Sequence, residues 1–263
     1  MQKSHILAIT LLVIVVIGVI ILVNGRIGTG KEAGEALERG RAALEAGNYE
    51  EAIVNLEAAV KANPKDSKAH FLLGQAYSRA GEPLKAKDEF ATVVSLDPGN
   101  AAAHHNLGVA YYQLQQLELA VAEFKAALNQ DPDAPDTHYQ LGAAYLVLAL
   151  SKDPATPDKQ LLAQAVDEFK AALALQDNMP EALIGLGNVY IQQGNYDAAI
   201  ETLSTAIAQR PDLPEAYYAL AESYAQKGDA ANACATFKRF LELNPPAVWK
   251  DQATQNMAIL GCQ

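Results

Sequence analysis

A Leu-Gly-x-x-Tyr motif returns along this chain at a fixed interval: Leu73-Gly74-x-x-Tyr77, Leu107-Gly108-x-x-Tyr111, Leu141-Gly142-x-x-Tyr145 and Leu186-Gly187-x-x-Tyr190. The glycines stand at 74, 108, 142 and 187, so two steps are 34 residues and the last is 45, which is 34 plus an insertion of 11. An Ala-x-x-x-Phe/Leu pair follows each motif, at Ala86/Phe90, Ala120/Phe124, Ala165/Phe169 and Ala199/Leu203, and again at Ala233/Phe237. A proline closes most units: Pro64, Pro98, Pro132, Pro211 and Pro245. A period of this length with small residues at fixed offsets signals a helical repeat array. It moves the question of function from chemistry to binding.

Each unit reads as two amphipathic helices. From Ala101 to about Gln115, the residues Leu107, Ala110, Tyr111 and Leu114 fall at helical spacing, and from about Glu118 to Gln130 so do Ala120, Val121, Phe124, Ala127 and Leu128. Gly108 and Ala120 lack bulk and let the two helices approach, while Tyr111 and Phe124 fill the space beside them. Asp131-Pro132 stops the second helix, because proline disfavours the helical conformation in the residue before it. Neither helix can bury its apolar stripe alone, so neighbouring units must stack.

At these residues the chain resembles the tetratricopeptide repeat family. Six copies fit, at 33–66, 67–100, 101–134, 135–179, 180–213 and 214–247. The resemblance implies an all-α fold, a right-handed α-α superhelix of six repeats. Residues 248–263 follow as a capping helix and tail, with Val248, Ala253, Met257 and Leu260 expected on its apolar stripe. In the first copy Arg39 and Ala43 replace the expected Leu and Tyr, which suits an end repeat. In this family the second, fifth, ninth and twelfth positions of each first helix line a concave groove that takes a peptide. The resemblance therefore implies groove candidates at Phe71, Gln75, His105, Val109, Tyr112, Tyr139, Asn188, Tyr218 and Glu222. The Lys/Asn/Arg clamp by which some members hold a terminal carboxylate is absent, since the matching fifth positions are Leu37, Phe71 and His105. The competing reading is a solvated groove whose aromatics only pack on adjacent helices.

The 11-residue insertion extends the fourth copy. Leu146 to Leu150 prolong its first helix, the second is expected to start early between Pro157 and Leu162, and Asp153 to Pro157 form the loop. Leu148, Leu150, Leu161 and Leu162 can pack together there. The alternative is a contact with a partner, or self-association through the 146–162 extension.

Residues 1–5 form a short tail, and Ile6 to Val23 is an uncharged apolar run of 18 residues. At 1.5 Å per residue that run spans about 27 Å, close to the hydrocarbon thickness of a bilayer. It is longer than a signal-peptide core, and Leu22-Val23-Asn24-Gly25 offers no small-x-small cleavage site. The expectation is one uncleaved N-terminal transmembrane helix, hence a single-pass protein of the cell membrane. Lys3 before the span and Arg26 and Lys31 after it barely discriminate orientation. A short charged N-terminus joined to an anchor favours an extracytoplasmic repeat domain. Cys234 and Cys262 fall near the same end of two antiparallel helices. They form either a disulfide, which needs an oxidising compartment, or a buried core residue and a tail thiol.

Residues 24–32 read as a Gly-rich linker. Gly25 to Lys31 matches the start of a phosphate-binding loop, but Glu32 stands where Ser or Thr would hold Mg²⁺. His70, His104 and His138 recur at the repeat period, but equivalent atoms of stacked helices lie about 8–10 Å apart, too far to converge on one metal at about 2 Å. They read as packing residues. With no H-E-x-x-H, G-x-S-x-G or C-x-x-C, neither a catalytic residue nor a cofactor is implied. The chain carries 31 Asp and Glu against 20 Lys and Arg, a formal charge of −11, which opposes nucleic-acid binding. The reading is a non-catalytic, membrane-anchored scaffold that binds a protein or peptide of unknown identity and assists envelope protein assembly or maturation. Two alternatives are an accessory factor holding apoprotein in cytochrome c maturation and a regulatory subunit of a glycosyltransferase complex.

Overall fold

The computed structural model describes residues 31–151 and 153–262, all of it helix and connecting turn with no strand among the described residues. The tail, the apolar run and residues 24–30 lie outside them, and so does the expected anchor. Among the described residues no helix is long and apolar enough to cross a membrane.

Thirteen helices follow one another among these residues. The first pair is α1 (31–45) and α2 (Tyr49–Ala62), then α3 (Ser67–Arg79) and α4 (Pro83–Leu96), and α5 (Ala101–Gln113) and α6 (Leu117–Gln130). The fourth pair is α7 (Pro135–Leu150) and α8 (Lys159–Leu175), followed by α9 (Pro180–Gln192) and α10 (Tyr196–Gln209), α11 (Pro214–Lys227) and α12 (Ala230–Glu242), and the single α13 (Ala247–Ile259). Contacts gather into two compact units, divided between Ala110 and Tyr111.

The motif residues make the close approach inside each pair. In the N-terminal unit a Cβ added at Gly74 would lie 2.8 Å from the Phe90 ring, and in the C-terminal unit one at Gly187 would lie 2.6 Å from Leu203 Cγ. Ala86, Ala120, Ala165, Ala199 and Ala233 are wholly buried, as are the aromatic or leucine partners four residues on. Ala36, Ala59 and Ala69 form a small-residue core in the first unit, with Leu37 and Val60 against it.

The ends of the helices follow from local chemistry. Asn63, Asp97, Asp131 and Arg210 cap α2, α4, α6 and α10 with φ between −141° and −135° and ψ between 84° and 96°. Each precedes a proline, which pushes it out of the helical region. Between the helices of a pair the chain turns through one left-handed residue: Gly47, Gly81, Gly194 and Gly228. The N–H after that residue donates back to the final turn, as Glu82 does to the Tyr77 carbonyl (2.9 Å) and Asn195 to that of Tyr190 (2.9 Å). This is the Schellman arrangement. Gln115 takes the same place at φ 58°, where a side chain costs energy that glycine avoids.

The fourth pair follows the expected extension, and one expectation, in α13, needs adjusting. In the fourth pair α8 begins at Lys159, because the Asp158 carboxylate accepts from the Gln160 and Leu161 N–H groups and fixes the start there. Leu162 is buried, Leu148, Leu150 and Leu161 are half-buried, and the Asp158 N–H donates to the Ala149 carbonyl (3.0 Å), so the extension closes on itself. In α13, Val248 is 77 % exposed and does not belong to the inner stripe. That stripe runs through Ala253, Met257 and Leu260, and Trp249, four before Ala253 and still 39 % exposed, lays its ring against Tyr218 and Phe240, whereas Val248 stands five before Ala253.

Candidate functional site

The predicted groove residues fall on the first helix of each pair, and each unit holds its own set. In the N-terminal unit, Phe71 and Gln75 on α3 and His105 and Val109 on α5 are half-buried. Phe71 lays its ring edge-on to Phe90, centroids 5.7 Å apart. Gln75 borders a cavity of about 310 Å³ together with Arg41, Tyr49 and Arg79.

In the C-terminal unit, Tyr112 on α5, Tyr139 on α7, Asn188 on α9, and Tyr218 and Glu222 on α11 are all half-buried. Tyr139 rests on Phe169 at 6.0 Å, and Tyr218 on Phe237 at 5.8 Å. Phe71, Tyr139 and Tyr218 share one repeat position, and each seats on the phenylalanine of its own pair. Packing is therefore part of their role, and the remaining polar edge is what a partner could meet. Burial raises the pKa of the Tyr112 and Tyr139 phenols, with the Glu181 carboxylate adding to the rise at Tyr139. Glu181 itself accepts from Arg210 at 2.5 Å.

The far end of this unit holds the densest arrangement. Tyr218 touches Phe240 at 5.3 Å and Trp249 at 5.8 Å, and Trp249 stacks on Phe240 at 6.5 Å. Asn256 Nδ2 donates to the Tyr218 hydroxyl at 3.4 Å. The Tyr218 phenol is pushed up to about 12, first by burial and then by the Glu222 carboxylate beside it. Glu222 is itself raised by burial, against which the Tyr218 hydroxyl acts. Trp249 and Asn256 were not among the groove candidates, because α13 lies outside the repeating pattern. The signal that could have found them was the spacing of the only tryptophan from Ala253.

The periodic histidines are hydrogen-bonded clips. His70 Nε2 donates to the Pro64 carbonyl (3.1 Å) while Nδ1 meets the Glu89 carboxylate (2.5 Å). His138 repeats this with Pro132 (3.0 Å) and Glu168 (2.6 Å), and His104 Nε2 meets the Pro98 carbonyl at 3.1 Å. Each ties the start of its helix to the preceding proline turn, a more specific role than apolar packing. The sequence held the sign: Glu89 and Glu168 each stand three residues after a motif alanine. Among the described residues no three His, Cys, Asp or Glu side chains are grouped to hold a metal.

Cys234 near the start of α12 and Cys262 beyond α13 are joined by a disulfide, with Cα atoms 5.5 Å apart. That separation lies within the usual range for the bond.

Paired helices with these contacts define an all-helical repeat protein. Family models for the tetratricopeptide repeat match residues 37–86 and 214–246, and a TPR-repeat model matches 110–148 and 187–228. The chain belongs to the tetratricopeptide repeat family. Among solved structures it is similar to PilF of Pseudomonas aeruginosa, with TM-score 0.68, 20 % identity, and 87 % of this chain and 99 % of that chain covered. It is also similar to a tetratricopeptide repeat protein of Parabacteroides merdae (TM-score 0.69, 20 % identity, coverage 88 % and 91 %). A third is YrrB, described as having an unusual peptide-binding site (TM-score 0.59, 20 % identity, coverage 76 % and 97 %). At such identities the likeness is one of fold. No curated protein matches the chain.

Proposed function

We propose that this protein is a non-catalytic, membrane-tethered scaffold that holds a peptide segment of a partner protein against the first helices of its repeats. The observation that carries this reading is the half-buried set Tyr112, Tyr139, Asn188, Tyr218 and Glu222, at the repeat positions where this family lines its groove. Tyrosines offer a partner large contact area for little lost rotamer freedom. YrrB, a protein of the same fold, is described as having a peptide-binding site of its own. Supporting the extracytoplasmic side is the Cys234–Cys262 disulfide, a bond that persists in oxidising compartments. The apolar run from Ile6 to Val23 supplies the tether in this reading.

A photo-crosslinking residue at Asn188, set against one at exposed Leu175 on the second helix of the preceding pair, tests the proposal. Crosslinks to one defined partner are expected from position 188 alone, and they should disappear in the Tyr112→Ala/Tyr139→Ala chain while its helical content holds. Equal crosslinking from both positions, or capture untouched by the double substitution in a folded chain, would overturn the reading.

A further inference from the structure

Glu222 occupies an unusual position. It lies in a recess of about 290 Å³ between α11 and α13, bordered by Gln226, Phe237, Asn256, Ile259 and Leu260. Burial penalises the ionised carboxyl, and the neighbour acting against that penalty is the neutral Tyr218 hydroxyl rather than a cation. Elsewhere in this unit the half-exposed Glu181 has a basic partner in Arg210. A carboxylate partly withdrawn from water, with its charge unmet, is a group poised for a cation from outside.

The volume is small, at the lower edge of ligand-sized cavities, which run from roughly 300 Å³ upward. It suits one side chain and not a whole cofactor. Ile259 and Leu260 at its rim offer apolar contact to a methylene stem, over a base closed by the fully buried Phe237. The Tyr218 hydroxyl already bonds the carboxylate, so a compact ammonium on a flexible apolar stem fits what remains better than a planar guanidinium, which asks for both oxygens. The overall charge of −11 favours a basic partner as well.

We propose that the recess between α11 and α13 is a lysine pocket, in which an ammonium group of the partner peptide pairs with Glu222 while its stem lies along Ile259 and Leu260. The inference rests on the peptide-binding reading and adds to it the chemical class of the partner: a segment carrying a basic residue. The pocket is built by α13 as much as by the repeats, so the capping helix takes part in recognition as well as closing the array.

Trp249, the only tryptophan in the chain, touches Tyr218, whose hydroxyl faces Glu222. It therefore reports on the recess directly. The full chain is titrated with acetyl-Leu-Lys-Leu-amide while tryptophan emission is followed, beside the same peptide bearing Nε-acetyl-lysine. A saturable change in the low millimolar range is expected for the free amine. Affinity should fall at least about tenfold for the acetylated peptide, and by a similar factor in Glu222→Gln, which removes the charge and keeps the shape. No saturable change with the free amine, or equal affinity for both peptides, would overturn the lysine pocket. So would an unchanged affinity in a folded Glu222→Gln chain. Loss of the crosslink at Asn188 with lysine-peptide binding intact would instead remove the wider groove and keep the pocket.

Discussion

Glu222 shows how a single residue can be placed against the interest of the fold. Its carboxyl is raised from the ordinary glutamate value by burial, so the folded state prefers the protonated form. By linkage, the stability this group contributes is fully present below the unfolded glutamate pKa of about 4.3 and is lost as pH rises through the higher folded value. At pH 7 the ionised carboxylate is therefore a burden, and glutamine at the same place is not. Glu222→Gln is expected to raise the thermal midpoint at pH 7, and the gain should shrink to nothing near pH 4. Melting curves at the two pH values check this, and a Glu222→Gln chain less stable than the parent at pH 7 would contradict the argument. A substitution that stabilises the fold while removing ligand affinity is the usual mark of a binding residue. Residue-level reading of the sequence placed Glu222 on the groove face by repeat position. It could not show that the carboxyl is partly buried without a cation, since that depends on Asn256 and Leu260, which come from a helix outside the period.

At the scale of elements, the helix pairs were legible because each motif encodes one contact. Gly74 can face Phe90 only if α3 and α4 lie side by side, and Gly187 requires the same of α9 with Leu203. The start of α8 was legible within the 157–162 segment, where the Asp158 carboxylate fixes it at Lys159. For α13 there was no repeat to calibrate the register, and the exposed Val248 was read as inward-facing in place of Trp249. That helix is weakly held by packing alone. Ala253 is its one fully buried residue, and Pro246 offers no side-chain cap at its start. The disulfide compensates by closing a loop of sequence separation 28, worth about 3.6 kcal/mol on the chain-entropy account. Cys262→Ser is expected to let α13 open at temperatures where the repeats stay folded. Amide hydrogen exchange reads this as lost protection in α13 with α11 unchanged, accompanied by a shift of Trp249 emission toward that of a solvated indole. Equal protection of α13 in the two chains would assign the cap to packing rather than to the bond.

For the molecule as a whole, the acidic repeats and the apolar N-terminal run pull in different directions at a membrane. A cytoplasmic leaflet rich in anionic lipid repels negative charge over a Debye length of about 8 Å at physiological salt, and the chain's formal charge of −11 gives it no net electrostatic hold on such a surface. The exposed apolar side chains, such as Val54, Leu84, Leu119 and Ile259, are spread over separate helices, unlike the single apolar face of an interfacial helix. In the proposed reading, membrane residence comes from residues 6–23. Removing residues 1–30 is expected to move the repeats wholly into the soluble fraction, at low and high salt alike, with Cys234 and Cys262 still paired when the shortened chain is exported behind a cleavable signal. The same shortened chain made in a reducing cytosol should present both thiols to an alkylating reagent without prior reduction. Fractionation and mass shift on alkylation read the two outcomes together. Repeats that stay on the membrane without residues 1–30 would show a second attachment and end the single-tether reading. Thiols of the full-length chain that alkylate in living cells without reductant would place the repeats on the reducing side.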